Sequence, residues 1–109
     1  MVSDGKCVFI SFDIETGGDN CGILQISAEC FSLNTKSNEG GGVKMTEVFN
    51  SYIKPPDNAI WSQHATDVHG LHKNHPSILT ADKIELVWDR FCGYITECVP
   101  VGKAGVLVA

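Results

Sequence analysis

Two carboxylates stand two residues apart in the segment with the strongest strand pattern. Asp13 and Glu15 flank Ile14 at the end of a nearly continuous apolar and β-favouring run. Side chains two apart on a strand share a face, so both carboxylates face one way and Ile14 packs the opposite way. Such oxygen ligands suit Mg²⁺ or Mn²⁺ better than zinc, and two such ions support phosphodiester cleavage. The spacing alone is more typical of a solvated strand end, so the hypothesis depends on the surrounding motif.

Three strands are predicted in the first half of the chain. The apolar run Cys7 to Ile14 predicts a strand buried on both faces and central in a sheet. Ile23 to Leu33 alternates between apolar and polar residues, which predicts a half-buried strand. Asn34 to Met45 is polar and glycine-rich and is predicted to be a flexible loop, whereas Val48 to Ile53 is predicted to be the third strand.

The second half of the chain predicts helices and one more strand. A short helix is expected around Ser62 to Val68. An amphipathic helix is expected over Thr80 to Val99, with Thr80 as its N-cap. Val106 to Ala109 begins another buried strand. This β-β-β-α-β order predicts an α/β fold with a mixed sheet, in which the helix is the crossover to a parallel strand.

Composition and charge exclude several function classes. The 109 residues contain eight Lys and Arg against thirteen Asp and Glu, a net charge of -5, which excludes a strongly basic nucleic-acid coat but not a local basic groove. No apolar run approaches the roughly 20 residues of a membrane span, so no membrane partner is expected. Five cysteines without paired spacing and no signal peptide predict reduced thiols and an intracellular location, in the cytoplasm or nucleus.

Three histidines at a spacing of three invite comparison with a zinc site. They are His69, His72 and His75, and Pro76 follows the last of them. Proline interrupts a helix, so the three side chains cannot share one helical face. No paired cysteines complete a four-ligand site. The pattern therefore favours solvated loop histidines.

The two tryptophans could stack on nucleic-acid bases. Trp88 falls on the apolar face of the predicted long helix, which favours packing in the core. The surroundings of Trp61 leave both stacking and core packing open.

The segments around the carboxylates resemble those of a known family. Phe12 to Gly18, with the sequence Phe-Asp-Ile-Glu-Thr-Gly-Gly, resembles the first motif of DnaQ-like exonucleases, the DEDD superfamily with a ribonuclease H-like fold. Gly22 to Ala28 resembles the family's second strand, and Tyr52 to Pro55 resembles the end of its third strand. Ala65 to Leu71 resembles the Val-His-Gly segment common in DnaQ-type members, which suggests the DEDDh type. The resemblance covers essentially the whole chain.

The resemblance implies a 3′–5′ exonuclease, a hydrolase that removes nucleotides from the 3′ end of a nucleic acid. It implies that Asp13 and Glu15 are catalytic residues and ligands of two Mg²⁺ or Mn²⁺ ions. The expected partner is single-stranded or 3′-end nucleic acid, and no protein partner is implied. The sequence does not distinguish DNA from RNA.

The resemblance also implies four substrate-binding residues. Thr16 and Gly17 would lie against the 3′-terminal nucleotide, whose terminal hydroxyl the loop amides could contact. Val68 would pack against the terminal base, with His69 beside it. These four residues are therefore expected to converge near the carboxylates.

The loop after Glu15 departs from the family pattern. The usual sequence is Glu-Thr-Thr-Gly followed by an apolar residue, whereas here Gly17 and Gly18 are followed by Asp19. Two glycines predict a looser loop. An acidic side chain at position 19 is a poor stacking partner and repels phosphate.

The larger departure is the lack of the family's later motifs. The second-motif Asp would follow a strand like Gly105 to Ala109, and the third motif would supply a general base and a last Asp. We therefore expect residues 1–109 to be a single domain that is incomplete at its C-terminus and inactive alone. Two alternatives are the proofreading domain of a family B DNA polymerase and a non-catalytic nucleic-acid-binding or interaction remnant of the same fold. The Lys54-Pro55 and Val68-His69-Gly70 segments favour the first interpretation over the polymerase.

Overall fold

The computed structural model describes residues 7–33, 42–44 and 48–109. Four strands are followed by three helices and a fifth strand, and together they form a mixed α/β fold, which confirms the predicted fold class. The structure adds a short strand and a short helix to the predicted elements. In chain order, the elements are β1 (Cys7–Thr16), β2 (Ile23–Leu33), β3 (Gly42–Lys44), β4 (Phe49–Tyr52), α1 (Gln63–His69), α2 (Pro76–Leu79), α3 (Ile84–Cys98) and β5 (Ala104–Val108).

The sheet is mixed, and β1 lies between β2 and β5. β1 pairs antiparallel with β2 and parallel with β5, where Phe9 lies opposite Val106. β3 and β4 pair with different parts of β2. The chain between β4 and β5 therefore forms the predicted helical crossover to a parallel strand. β5 begins at Ala104, two residues before the predicted strand, and all five of its residues are exposed. The prediction that this strand is buried is therefore wrong for the described residues, because β1 is its only described neighbour in the sheet.

One face of the sheet, the inner face, packs against α3. Val8 and Ile10 on β1 are almost fully buried there, and the ring of Phe49 on β4 lies 5.4 Å from the rings of both Phe91 and Tyr94. Because apolar burial is the main favourable contribution to folding, this layer holds the sheet and helix together. The main buried cluster contains Val8, Ile10, Ile26, Ala28, Cys30, Ile53, Val87, Phe91 and Cys98.

The opposite face, the outer face, has no such cover among the described residues. Phe9 stacks on Phe31 with ring centroids 5.9 Å apart, but both are only half-buried, and Val106 is 36% exposed. The prediction that β1 is buried on both faces is therefore wrong for the part of the chain that the structure describes. Ile14, which was expected to pack on the inner side, is also 36% exposed and belongs to neither buried cluster.

The long helix begins later than predicted. α3 starts at Ile84, and Lys83 occupies its N-cap position without a side-chain capping bond. Thr80 instead ends α2, where its Oγ1 donates to the Pro76 carbonyl at 2.9 Å. Proline favours the first position of a helix because its φ is already helical, so Pro76 starts a separate short helix. The predicted Thr80 N-cap is therefore wrong.

Two other predictions about local structure need correction. Gly42–Lys44 forms β3 within the segment predicted to be a loop, while residues 34–41 and 45 lie outside the described residues. Trp88, predicted to pack in the core, is 49% exposed and contacts Phe91 at a ring-centroid distance of 5.7 Å. The third predicted strand is confirmed as β4, without its two end residues.

Two findings concern the predicted reduced thiols and the predicted lack of a membrane span. All five cysteines lie in the described ranges, and none of them forms a disulfide. Across residues 7–33, 42–44 and 48–109, no helix is both long enough and apolar enough to cross a bilayer.

Candidate functional site

Asp13 and Glu15 lie on the outer face of the sheet at the end of β1. Asp13 is opposite Ser27 on β2 and Glu15 is opposite Gln25, so all four share this face. Asp13 is exposed and Glu15 is half-buried. The register shifts between Glu15 and Thr16, where the strand ends. The spacing therefore placed the two carboxylates correctly relative to each other.

A shallow cavity of about 210 Å³ adjoins Asp13 on the sheet. Its lining includes Ser11, Ser27 and a third carboxylate, Glu29. Glu29 lies near Asp13 because it pairs with Ser11 across β1 and β2. Glu29 falls on the polar side of the alternating segment Ile23 to Leu33. The sequence alone does not connect it with Asp13, because strand register is not visible in a single sequence.

The carboxylates at the end of β1 supply only part of a divalent-cation site. The carboxylates of Asp13 and Glu15 are accessible oxygen donors on one face, which suits Mg²⁺ or Mn²⁺. Within the described residues, no group of three or more His, Cys, Asp or Glu side chains could hold a metal ion. The pair therefore fits part of a coordination shell and does not complete one.

The loop that follows Glu15 is held tightly. Five backbone hydrogen bonds tie residues 17–22 to each other and to residues 60–62; in one, Gly17 accepts from the Ser62 amide at 2.7 Å. A Cβ on Gly17 would clash with the Cys21 Sγ, and one on Gly18 would lie 2.7 Å from the Ser62 Cβ. Glycine is needed here because the loop packs so closely. The prediction of a looser loop is therefore wrong.

Helix α1 confirms the short helix predicted around Ser62 to Val68. The Ser62 side chain caps its N-terminus by accepting from the Ala65 amide at 3.3 Å, and Gly70 ends it with φ 74°. The two ends of α1 therefore meet the loop after β1 at Ser62 and at His69. Val68, in the last turn, is 71% exposed.

His69 joins α1 to the end of β1. Its Nε2 lies 2.7 Å from the Thr16 carbonyl oxygen, and its Nδ1 accepts from the Leu71 amide at 3.0 Å. A carbonyl can only accept and an amide N–H can only donate, so Nε2 carries the proton and Nδ1 does not. Both ring nitrogens are therefore used within the chain, and the ring connects Thr16 to the turn after α1.

The three spaced histidines share one local hydrogen-bond pattern. The Nδ1 of His72 accepts from the Asn74 amide at 3.2 Å, and that of His75 accepts from the Ser77 amide at 3.1 Å, as His69 does with Leu71. Each imidazole thus stabilises the backbone two residues ahead of it. The regular spacing reflects consecutive turns and the N-cap of α2, and the solvated-loop interpretation understated this role.

Three of the four predicted substrate-binding residues lie together in the structure. Thr16, Gly17 and His69 are linked through the Thr16 carbonyl, and Val68 precedes His69 in α1. Gly17 is buried and its amide donates to the Gly22 carbonyl at 3.0 Å, so it is not free to contact a nucleotide hydroxyl. Substrate contact by these four residues stays a prediction.

Solved structures resemble this fold over nearly the whole chain. Cell-death related nuclease 4 (CRN-4) matches 94% of the chain with a TM-score of 0.65 and 24% identity. The nuclease domain of 3′hExo, a DEDDh family member bound to rAMP, matches 96% with a TM-score of 0.61 and 16% identity. Exonuclease X in complex with 5′ overhanging duplex DNA matches 93% with a TM-score of 0.54 and 16% identity.

The chain has the ribonuclease H-like fold of these nucleases. It spans 35% of the CRN-4 chain, 52% of the 3′hExo domain and 58% of the Exonuclease X chain. No protein-family model matches the sequence. No curated protein matches it either. At these identities the likeness shows the fold, and function has to be argued from the site.

Proposed function

We propose that this chain carries the first half of the active site of a metal-dependent 3′–5′ exonuclease. The observation that carries the proposal is the position of Asp13 and Glu15. They lie on the open face of a 3′-exonuclease fold, at the end of its central strand. Charged side chains at a strand end on an uncovered face contribute nothing to a core. The same side chains are suited to holding cations near a phosphodiester.

Each side chain has a defined task in the proposed reaction. Asp13 and Glu15 present carboxylate oxygens on one side of the sheet, where a bound phosphodiester would lie. Mg²⁺ or Mn²⁺ held there would supply electrostatic stabilisation of the charge that develops on the reacting phosphate. His69 holds the Thr16 carbonyl in place, so it fixes the backbone directly after Glu15. The remaining ligands and the general base would come from residues beyond these 109.

The proposed substrate is single-stranded or 3′-end nucleic acid. Val68 offers an exposed apolar side chain suited to a terminal base, and Thr16 offers an exposed hydroxyl beside the carboxylates. Solved relatives of this fold include one described as recognising the 3′ end of a histone mRNA stem-loop and one in complex with duplex DNA. We also propose an intracellular location, which the absence of disulfides among the five cysteines supports.

The metal site can be tested directly on the 109-residue chain. Mn²⁺ should broaden NMR signals from residues around Asp13 and Glu15 first, with roughly millimolar affinity for two oxygen ligands. Asp13→Asn should remove the effect, whereas Asp89→Asn on the exposed side of α3 should leave it unchanged. Broadening centred elsewhere, or unchanged in Asp13→Asn, would contradict the site. Complete absence of binding would instead favour a non-catalytic remnant.

The reaction can be tested by comparing two lengths of chain. The 109-residue chain should not degrade labelled single strands with Mg²⁺ or Mn²⁺, because general-base assistance alone is worth about 10²–10⁴-fold. A native extension that contains the later motifs should shorten the strands from the 3′ end, and Asp13→Asn should abolish this. Robust degradation by the short chain, lost in Asp13→Ala, would show that two carboxylates suffice. An inactive extended chain would overturn the proposal.

A further inference from the structure

A second cavity lies beside helix α2, and neither Asp13 nor Glu15 is among its lining residues. Its volume is about 210 Å³, and it lies between the segment after β4 and helix α2. Pockets that enclose a whole drug-sized ligand are usually about 300–1,000 Å³, so this cavity suits a single planar ring with its substituent exposed. Its lining residues are Lys54, Pro55, Pro56, Asp57, Trp61, Lys73, Asn74, Ile78 and Leu79.

The lining combines an apolar wall with charged groups at the rim. Trp61 is half-buried and packs against the second buried cluster, which also contains Ile78. Lys54 and Lys73 are exposed, and one carboxylate, Asp57, accompanies them. Two ammonium groups against one carboxylate make this a locally cationic place on a chain whose net charge is -5. An aromatic wall beside cationic groups matches a ligand with a flat ring and an anionic group.

Hydrogen bonds connect both walls of the cavity to the end of β1 that carries Asp13 and Glu15. On one side, Trp61 directly precedes Ser62, whose amide donates to the Gly17 carbonyl at 2.7 Å. On the other side, Lys73 and Asn74 follow the turn that His69 ties to the Thr16 carbonyl. The Ser62–Gly17 and His69–Thr16 hydrogen bonds therefore hold the cavity next to the end of β1. A nucleic-acid strand bound at Thr16 could reach the cavity.

We infer that this cavity binds one nucleotide of a single-stranded nucleic acid, at a position separate from the reacting 3′ end. The base lies against Trp61, and the ammonium groups of Lys54 and Lys73 contact the phosphate. This inference rests on the proposed function for its choice of ligand. It uses no metal and neither of the carboxylates Asp13 and Glu15, so its failure is distinguishable from failure of that function.

Tryptophan fluorescence tests the inference because the chain has only two tryptophans. In the Trp88→Phe chain, with EDTA present, adenosine 5′-monophosphate should quench Trp61 emission in a saturable way. A short oligonucleotide should do so at lower concentration, because neighbouring phosphates add charge. Adenosine without phosphate should bind about a hundredfold more weakly, because both ammonium contacts are lost, and inorganic phosphate should not quench. Quenching by the mononucleotide but not by the oligonucleotide would restrict the cavity to free nucleotides and overturn the strand assignment.

Substitutions at the rim separate specific binding from general charge effects. Lys54→Gln and Lys73→Gln should each weaken quenching by about tenfold, a loss typical of one good contact. Lys83→Gln, an exposed lysine at the start of α3, is the matched control and should change nothing. Asp13→Asn should also leave binding unchanged. Equal binding of adenosine and its monophosphate, insensitivity to both rim lysines, or loss in Asp13→Asn would each overturn the inference.

A second measurement guards against misfolding of the Trp88→Phe chain. The Trp61→Phe chain keeps only Trp88, and its emission should not respond to the mononucleotide. In the unsubstituted chain, phosphorus NMR of the mononucleotide should show broadening that Lys73→Gln removes. A response of Trp88, or an unchanged phosphorus signal with the unsubstituted chain, would contradict binding in this cavity.

Discussion

The two faces of one strand, β1, have opposite chemistry. Its even-numbered residues Val8 and Ile10 are almost fully buried under α3, whereas odd-numbered Asp13 and Glu15 lie on the outer face and reach solvent. No polar or charged side chain is buried among the described residues. Burial of an unpaired charge is costly, so the carboxylates are compatible with this strand only because their face is open. One strand therefore provides stability on one side and the candidate chemistry on the other.

The difference shows where substitutions will be tolerated. A change on the inner face removes packing that the sheet and α3 share. A change on the outer face alters groups that water already contacts. The loop after Glu15 is an exception. It follows the two outer-face carboxylates in the chain, but it is closely packed.

The largest expected effect is on the inner face. Ile10→Ala should lower the free energy of unfolding by about 2–5 kcal/mol, because it leaves a cavity in the main cluster. Val106→Ala on the outer face should cost less than about 1 kcal/mol, because that side chain is 36% exposed. Urea denaturation of both variants measures the contrast. Equal losses would mean that the outer face is as well packed as the inner one.

Substitutions in the loop after Glu15 should lower stability, as substitutions on the inner face do. Gly17→Ala should cost about 1–3 kcal/mol, because the new Cβ meets the Cys21 side chain. Cys21→Ala in the same chain should restore part of this, since Sγ is then absent but Cβ remains. Gly93→Ala, in α3 with no atom within 4 Å of the new Cβ, should instead stabilise by about 0.5–1 kcal/mol. Thermal unfolding compares the three, and a neutral Gly17→Ala would mean that the loop is loose after all.

Stability should fall at high pH because of a buried inner-face thiol. Burial, together with the neighbouring Cys98, raises the pKa of Cys30 from 9.0 to about 12. Between these values the unfolded chain loses its proton first, so stability decreases as pH rises, by at most about 1.4 kcal/mol per pH unit. Cys30→Ala should flatten the decline above pH 9, whereas exposed Cys92→Ala should not. The measurement is urea denaturation at several pH values under reducing conditions, and an identical slope in Cys30→Ala would refute the assignment.

The smallest expected effect concerns the two hydrogen bonds of His69. Asn can replace the Nδ1 acceptor and Gln can replace the Nε2 donor, so each variant should lose one bond worth about 0.5–1.5 kcal/mol. Amide exchange of Leu71 should quicken in His69→Gln and stay slow in His69→Asn. The reverse order would mean that the ring has the other orientation. Mn²⁺ broadening at Asp13 in both variants would show whether the link to Thr16 also positions the carboxylates.

Much of the fold follows from residue patterns within single elements. The strand Ile23–Leu33 was predictable from its alternation, and the short helix after Ser62 was predicted where it is found. The shared face of Asp13 and Glu15 also follows from strand geometry alone. The parallel pairing of β5, with a helix as the crossover, followed from element order.

Features that depend on contacts between distant residues were decided only by the tertiary structure. Glycines 17 and 18 predict flexibility by themselves, and only the approach of Cys21 and Ser62 shows that they allow close packing. Likewise, nothing in the spacing of His69 shows that its ring bonds to the Thr16 carbonyl 53 residues earlier. The apolar run Cys7 to Ile14 established a central strand, but the elements packed on it determine which faces are covered. Local sequence determines φ, ψ and side-chain alternation, whereas register, burial and hydrogen-bond partners depend on segments brought together only by folding.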